Sequence, residues 1–270
     1  MLKKVLAAIL CSVVFTASFT SCGKEIKVDD SSDSGSASDS GSEASDSSDN
    51  SESSNASIAN FTAPEDGEQI IIMKIKDKGD VKIKLFPEYA EKGVENFVEL
   101  AKEGYYDGLT FHRVISDFMI QGGDPLGTGT GGESIWGGKF DGGTDSHLIH
   151  ASGALAYANS GSTATNGSQF YIVTGSVYGE SDLDQLTSYY GITLSDEAKN
   201  IYTTVGGTPW LDGSYTVFGQ VFDGLDIVYD IQTVATDEGT NKPLEDVIIE
   251  SVTVGEYDGG ELNWYISDYE

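Results

Sequence analysis

Between Ile70 and Val254 apolar residues recur with two different periods. In Gln69–Lys76 and Val81–Phe86 they are rich in β-branched side chains and partly alternate with Lys, the period-two pattern of strands that bury one face. Asp77-Lys78-Gly79-Asp80 between them has the composition of a hairpin turn. The period then changes: Val94, Phe97, Val98 and Ala101 fall at i, i+3, i+4 and i+7 and predict a helix from Pro87 to about Glu103 with one buried face. Pro87 suits its first turn and Gly104 its stop. Short apolar runs separated by dense Gly follow at 109–115, 118–121, 153–158, 169–174, 215–222 and 246–254, with a second helix over Leu225–Ile231 after Asp223-Gly224. Many short strands, Gly-rich turns and two helices predict a mainly β fold, a closed eight-stranded antiparallel barrel capped by two helices. One stretch exceeds a minimal barrel. Ser176–Gly207 holds helix-like segments at Asp182–Tyr190 and Ser195–Tyr202, the second opened by a capping Ser and two acids, and predicts a surface insertion with one or two short helices.

The pattern is different before Ile70. Lys3 and Lys4 precede an apolar stretch from Val5 to Phe15, and small and polar residues lead to Cys22. That is the layout of a signal peptide, with an apolar core too short for a transmembrane helix, which needs about 20 apolar residues. Phe19-Thr20-Ser21-Cys22 resembles a bacterial lipobox, although Phe stands where Leu is commoner; simple secretion with an incidental Cys is the alternative. Ser31–Ser57 is almost entirely Ser, Asp, Gly, Ala, Glu and Asn and lacks the apolar area to offset its ordering entropy. The expected organisation is a lipoprotein signal peptide over 1–22, a disordered linker over 23–60, a folded domain over 61–257 and a tail over 258–270. The linker is read as a self-repelling tether that holds the domain off the membrane.

Charge and cysteine narrow the chemistry. The chain carries a formal net charge of −29, of which residues 61–270 hold −24. Phosphate binding needs a basic footprint, so a nucleic-acid partner is excluded. The only cysteines are Cys11 and Cys22, so thiol catalysis, a disulfide framework and Cys-ligated zinc are excluded from the folded part. Its histidines are His112, His147 and His150. His112 has the wrong strand parity to point with its neighbour Arg113, and His147 and His150 lack a Glu in metal-like spacing, so no metal site is assigned. His150 reads as a structural hydrogen-bonder. Ser168 lies outside any Gly-x-Ser-x-Gly elbow, which argues against a serine hydrolase. Arg113 is the single arginine among fifteen basic residues and sits in an apolar strand beside Phe111, Val114 and Ile115. Its planar, permanently charged fork cannot be imitated by Lys. Composition leaves two roles open for it, a structural ion pair or a functional cation.

The run Phe111-His112-Arg113-Val114-Ile115-Ser116-Asp117-Phe118-Met119-Ile120-Gln121-Gly122-Gly123-Asp124 resembles the signature of the cyclophilins. Gly129–Trp136 resembles the family's Gly-rich loop, Ala156–Gly161 its binding-edge strand and Asn166–Ile172 the signature strand that follows. Trp210-Leu211-Asp212-Gly213 and Val217–Val221 come in the family's order. The resemblance covers residues 70–254 and implies a cyclophilin-like barrel and peptidyl-prolyl cis/trans isomerase activity without cofactor or metal. It implies Arg113 and Gln121 as catalytic residues and a proline pocket of Phe118, Met119, Tyr171 and Leu211. Asn159 and the backbone of Ala158 would pair with an extended substrate, Gln169 would brace that edge, and Thr130 would line a pocket for residues preceding the proline. Trp210 and Tyr215 complete the substrate-binding set. Tyr171 stands where Phe is usual and Tyr215 where many members have His. Trp210 matches the residue that favours cyclosporin binding.

Two readings remain: an isomerase that assists folding of exported proteins, and a catalytically weak peptide-binding or holdase module on the same fold. For either, the expected partners are proline-containing peptides or unfolded exported proteins, the expected state a monomer, and the expected location the extracytoplasmic face of the cell membrane, anchored through Cys22. Cells expressing the full chain should incorporate labelled fatty acid into it, and Cys22→Ala should abolish the label; label that persists in the variant overturns the anchor.

Overall fold

A computed structural model describes residues 57–269; the signal-like segment, Cys22 and the linker up to residue 56 lie outside the described residues. The β1 strand (Gln69–Ile75) and β2 (Gly79–Leu85) form the expected hairpin, with Ile71 opposite Ile83 and Met73 opposite Val81 on the buried face. The α1 helix runs Pro87–Lys102, followed by β3 (Arg113–Ile115), β4 (Met119–Gly122), β5 (Ala154–Tyr157) and β6 (Phe170–Val173). The insertion supplies α2 (Glu180–Tyr190) and α3 (Asp196–Thr204); then come β7 (Val217–Asp223), α4 (Leu225–Ile231) and β8 (Ile249–Glu256). The predicted buried face of α1 is the observed one, and Phe97 is its centre. Its ring stacks on Tyr106 at 4.7 Å, meets Phe170 edge-on at 5.4 Å and lies tilted to Phe218 at 5.3 Å, so the helix packs on the curled sheet with aromatic area.

The eight strands are antiparallel in the order β3-β4-β6-β5-β7-β2-β1-β8. This corrects the expectation of a closed barrel: β3 and β8 share no ladder, and the sheet is an open, curled half-barrel. Thr110 and Ile248 form only an isolated bridge where the edges approach. What faces β3 is irregular chain, with Val114 N–H donating to Asn241 O. Asn241 is in the left-handed region at φ 58°, and Pro243 has no N–H to give, so this stretch cannot extend a ladder. A second correction concerns β5, which the sequence presents as a binding edge. It lies between β6 and β7, so only its continuation through Ala158 and Asn159 leaves the sheet.

Asn60, assigned to the expected linker over 23–60, packs with the folded domain. Asn60 is fully buried, donating to Ile149 O at 3.0 Å and Gln220 Oε1 at 2.9 Å while its Oδ1 accepts from Ile149 N–H. Residues past 257 also pack: Trp264 stands edge-on to Phe61, and Tyr269 Oη accepts from Leu225 N–H.

The insertion has its own small core of Ile58, Ile149, Ala151, Leu183, Ala198, Ile201 and Tyr202. Ser195 caps α3 as predicted, its Oγ accepting from Ala198 N–H at 3.1 Å. Gly191, at φ 66°, terminates α2 immediately after Tyr190. The insertion rejoins the sheet at Gly207, which bridges Ala151. There φ is 142°, and a Cβ would lie 2.2 Å from His150 O and 2.8 Å from the Tyr202 ring. Gly207→Ala should therefore destabilise the fold by about 3 kcal/mol in denaturant titrations; a loss below about 1 kcal/mol would mean the junction yields.

Candidate functional site

Cross-strand register creates the site. Arg113 on β3 pairs with Gln121 on β4, Gln121 with Tyr171 on β6, and Tyr171 with Ala156 on β5. Successive side chains on a strand alternate faces, so Met119, two residues from Gln121, shares its face and pairs with Val173. His112 falls on the other side of the strand from Arg113, as its parity predicts, and is buried.

Three side chains are joined in a line. Arg113 donates from one guanidinium nitrogen to Gln121 Oε1 at 3.2 Å, Gln121 Nε2 donates to Gln169 Oε1 at 3.0 Å, and Gln169 Nε2 donates to Gly131 O at 2.8 Å. The ends determine the middle. Guanidinium only donates and a carbonyl only accepts, so both amides have one orientation that satisfies the line. Among the described residues no carboxylate pairs with Arg113. Of the two roles that composition leaves open, the structural ion pair is not made. Burial lowers the pKa of Arg113 and nearby Tyr215 opposes this; a guanidinium stays charged at any physiological pH.

The loop that supplies Gly131 O is wound around Asp124. This buried carboxylate accepts from the backbone N–H groups of Leu126 at 2.8 Å, Thr128 at 2.9 Å and Gly129 at 2.6 Å. Burial pushes the Asp124 carboxyl up, but the backbone donors of Leu126, Gly131, Thr128 and Gly129 outweigh it and hold the pKa below its usual value. A Cβ on Gly131 would lie 2.2 Å from Asp124 Oδ1, which explains the glycine. Thr130 is exposed on the loop, its hydroxyl 2.9 Å from that of Thr128. Sequence reasoning assigned Asp124 only to a motif; a carboxylate followed by Thr and Gly is the signal that could have revealed a loop organiser.

The apolar half of the surface lies beside this line. Met119 and Tyr171 are buried, and Phe118 and Leu211 are half-buried against the main core. Tyr171 and Tyr215 meet edge-on at 6.0 Å, and Tyr171 stacks with His150 at 6.1 Å. His150 is a structural hydrogen-bonder, its Nδ1 lying 2.9 Å from Asp212 Oδ1 and its N–H donating to the same oxygen at 2.8 Å. That pair fixes the turn Pro209–Leu211, which carries Trp210 and Leu211. Phe118 and Trp210 stack at 6.0 Å. At the opposite end, Ala158 N–H donates to Gln169 O at 3.0 Å. Asn159 Oδ1 accepts from Gly161 N–H, while its Nδ2 has no partner among the described residues. The structure thus brings Arg113, Gln121 and Gln169 into one hydrogen-bonded line beside Tyr171, stacks Phe118 on Trp210, and bonds Ala158 to Gln169. Among the described residues no group of three His, Cys, Asp or Glu side chains is arranged to hold a metal. A separate cleft of about 640 Å³, lined by Lys76, Lys78, Val234, Leu244 and Val247 among others, includes none of these residues.

His112, the residue before Arg113, is a buried imidazole. Its two ring nitrogens are buried without a partner among the described residues. Burial lowers its pKa from 6.5; Asp124 opposes, and Arg113 and Lys242 add to the lowering. Below 6.5 the unfolded chain takes up a proton that the folded chain resists, so stability falls as pH drops through that value. Between about pH 7 and about pH 5, denaturation midpoints should fall more steeply for the unmodified protein than for His112→Gln; equal slopes would show that His112 does not titrate this way.

Comparison with known proteins agrees with this geometry. The family described as cyclophilin type peptidyl-prolyl cis-trans isomerase/CLD matches residues 70–254. A Staphylococcus aureus protein named peptidyl-prolyl cis-trans isomerase is 50% identical over 192 residues, covering 71% of this chain and 94% of its own. One of the same name from Staphylococcus haemolyticus is 51% identical over 178 residues, covering 66% and 87%. A crystal structure of a Cryptosporidium parvum cyclophilin type peptidyl-prolyl cis-trans isomerase, solved in the presence of the dipeptide Ala-Pro, aligns with a TM-score of 0.55 at 30% identity. It covers 70% of this chain and 99% of its own. The chain belongs to the cyclophilin-type peptidyl-prolyl cis-trans isomerases.

Proposed function

We propose that Arg113 is the electrostatic catalyst of X–Pro isomerisation in this chain, and that the enzyme assists folding of exported polypeptides at the extracytoplasmic face of the cell membrane. Resonance in the C–N bond sets a rotation barrier of about 18–20 kcal/mol. No bond is broken, so catalysis consists of binding the twisted amide better than either planar isomer. In the twisted state the prolyl nitrogen becomes pyramidal and regains a lone pair. A donor aimed at that nitrogen stabilises the transition state more than the ground state.

The observation that carries this reading is the unspent charge of Arg113. Its guanidinium is partly buried, has no carboxylate partner among the described residues, and donates to the neutral amide of Gln121. It therefore keeps donors and a full positive charge for a ligand. In this reading Phe118, Met119, Tyr171 and Leu211 hold the proline ring, and Gln121 positions Arg113 and hydrogen-bonds the substrate carbonyl. Asn159 and the Ala158 carbonyl pair with the residues before the proline, a form of strand addition. Thr130 and Gln169 border that end. The signal-like N-terminus, the lipobox-like Cys22 and the acidic tether support export, lipid anchoring and work on other exported chains. The enzyme acts as a monomer on proline-containing peptides.

Exchange of an Ala-Pro peptide, followed by NMR, tests the reading. Arg113→Ala should lower kcat/KM at least tenfold, about 1.4 kcal/mol of lost transition-state stabilisation, with an unchanged melting temperature. Equal rates would remove Arg113 from the mechanism. Absence of catalysis by the unmodified protein would leave the peptide-binding module.

A further inference from the structure

The insertion over 176–207 ends one of its helices against the site. Tyr190, the last residue of α2, stacks on Trp210 with ring centroids 6.1 Å apart and planes at 23°. Trp210 stacks in turn on Phe118 at 6.0 Å and 26°. The three rings are offset and nearly parallel, so they continue the apolar floor outward from Phe118. Next to them Tyr189 is 68% exposed and meets Tyr190 edge-on at 5.0 Å. Val177 is 52% exposed on the same insertion.

This platform is held rigidly. Leu183 and Leu186 are buried on the inner side of α2, Tyr202 Oη donates to Asp212 Oδ2 at 2.6 Å, and Tyr178 Oη donates to Gly207 O at 3.1 Å. Asp212 directly follows Leu211, so the same hydrogen bond ties the insertion to the turn that carries Trp210.

Its place along the groove follows from β6. Gln169 lies at one end of that strand, where Ala158, Asn159 and Gly131 gather. Thr174 lies at the other, where its N–H donates to Phe118 O and the insertion begins. Residues before the proline occupy the first end, so residues after it run toward Trp210 and Tyr190. An extended chain advances about 3.3 Å per residue, so two ring-to-ring steps of 6.0 and 6.1 Å correspond to a few residues.

We propose that Tyr190, with Tyr189 at its rim, is a specificity-determining residue: the insertion adds a subsite that takes an aromatic side chain of the substrate, located roughly two to four residues after the proline. This rests on the isomerase reading of the Arg113 surface and names a substrate preference for it. Aromatic rings favour such offset stacks, and the exposed face of the platform continues a surface already assigned to peptide.

The test is a set of otherwise all-Ala proline peptides carrying one Phe at each successive position after the proline, with exchange followed by NMR. The unmodified protein should favour one position about fivefold in kcat/KM over the peptide without Phe. Tyr190→Ala should reduce that preference below about twofold, with the change in KM. Tyr190→Phe should restore it, and Leu244→Ala, an exposed residue outside the site, should keep it. A preference that survives Tyr190→Ala, or none in the unmodified protein, overturns the subsite. So does an equal fall of kcat on every peptide, which would mean that Tyr190 only braces Trp210. If the unmodified protein turns over no peptide, the isomerase reading fails separately, and dissociation constants from NMR titration of the same peptides decide the subsite.

Discussion

The pairing register of three short strands is the constraint on which this surface depends. Arg113, Gln121 and Tyr171 stand side by side because β3, β4 and β6 pair them directly. A slip of one residue would turn each side chain to the opposite face, putting His112 where Arg113 stands and Arg113 into the core. Short strands hold a register weakly by themselves, since β3 has three residues and β4 and β6 four each. Burial supplies the missing specificity. Val114, Ile120, Phe170 and Ile172 occupy the opposite parity and are at most 2% exposed. The apolar core therefore enforces the polar arrangement on the other face.

The second constraint is electrostatic. A partly buried arginine is ordinarily matched by a carboxylate, and this chain has carboxylates in excess. Here the guanidinium is met by Gln121 instead, backed by Gln169 and a loop carbonyl. Neutral amides orient the charge without cancelling it. Asp124, a buried carboxylate, spends its lone pairs on loop N–H groups, and so shapes the loop that carries the Gly131 carbonyl at the end of the line. Positioning and charge are thus separated: one acid builds the loop, and the cation stays available.

The insertion is tied to the rest of the fold at several points. Its helices share a small core with the chain entry at Ile58 and with Ile149 and Ala151, and Tyr202 binds the aspartate beside the pocket turn. Such an element cannot shift without moving Trp210 and Leu211. It joins the site by packing as well as by proximity, and its aromatic end lies against Trp210.

Much of this was legible in the sequence because the patterns are local. Period two marked the β1–β2 hairpin, period 3.6 marked α1, and Ser195 marked the start of α3, each through interactions within a few residues. The single arginine and the ordered motifs named Arg113, Gln121, Phe118 and Met119 before any geometry. Tertiary structure alone decided what depends on partners distant in sequence. The half-barrel stays open because irregular chain around Asn241 and Pro243, over a hundred residues away, faces β3. Asn60 is held in the core because it finds Ile149 and Gln220. Tyr190 meets Trp210 because the insertion folds back onto its own exit. Periodicity and composition report which face of an element is apolar, whereas the face it meets is set by packing between segments that no local pattern connects.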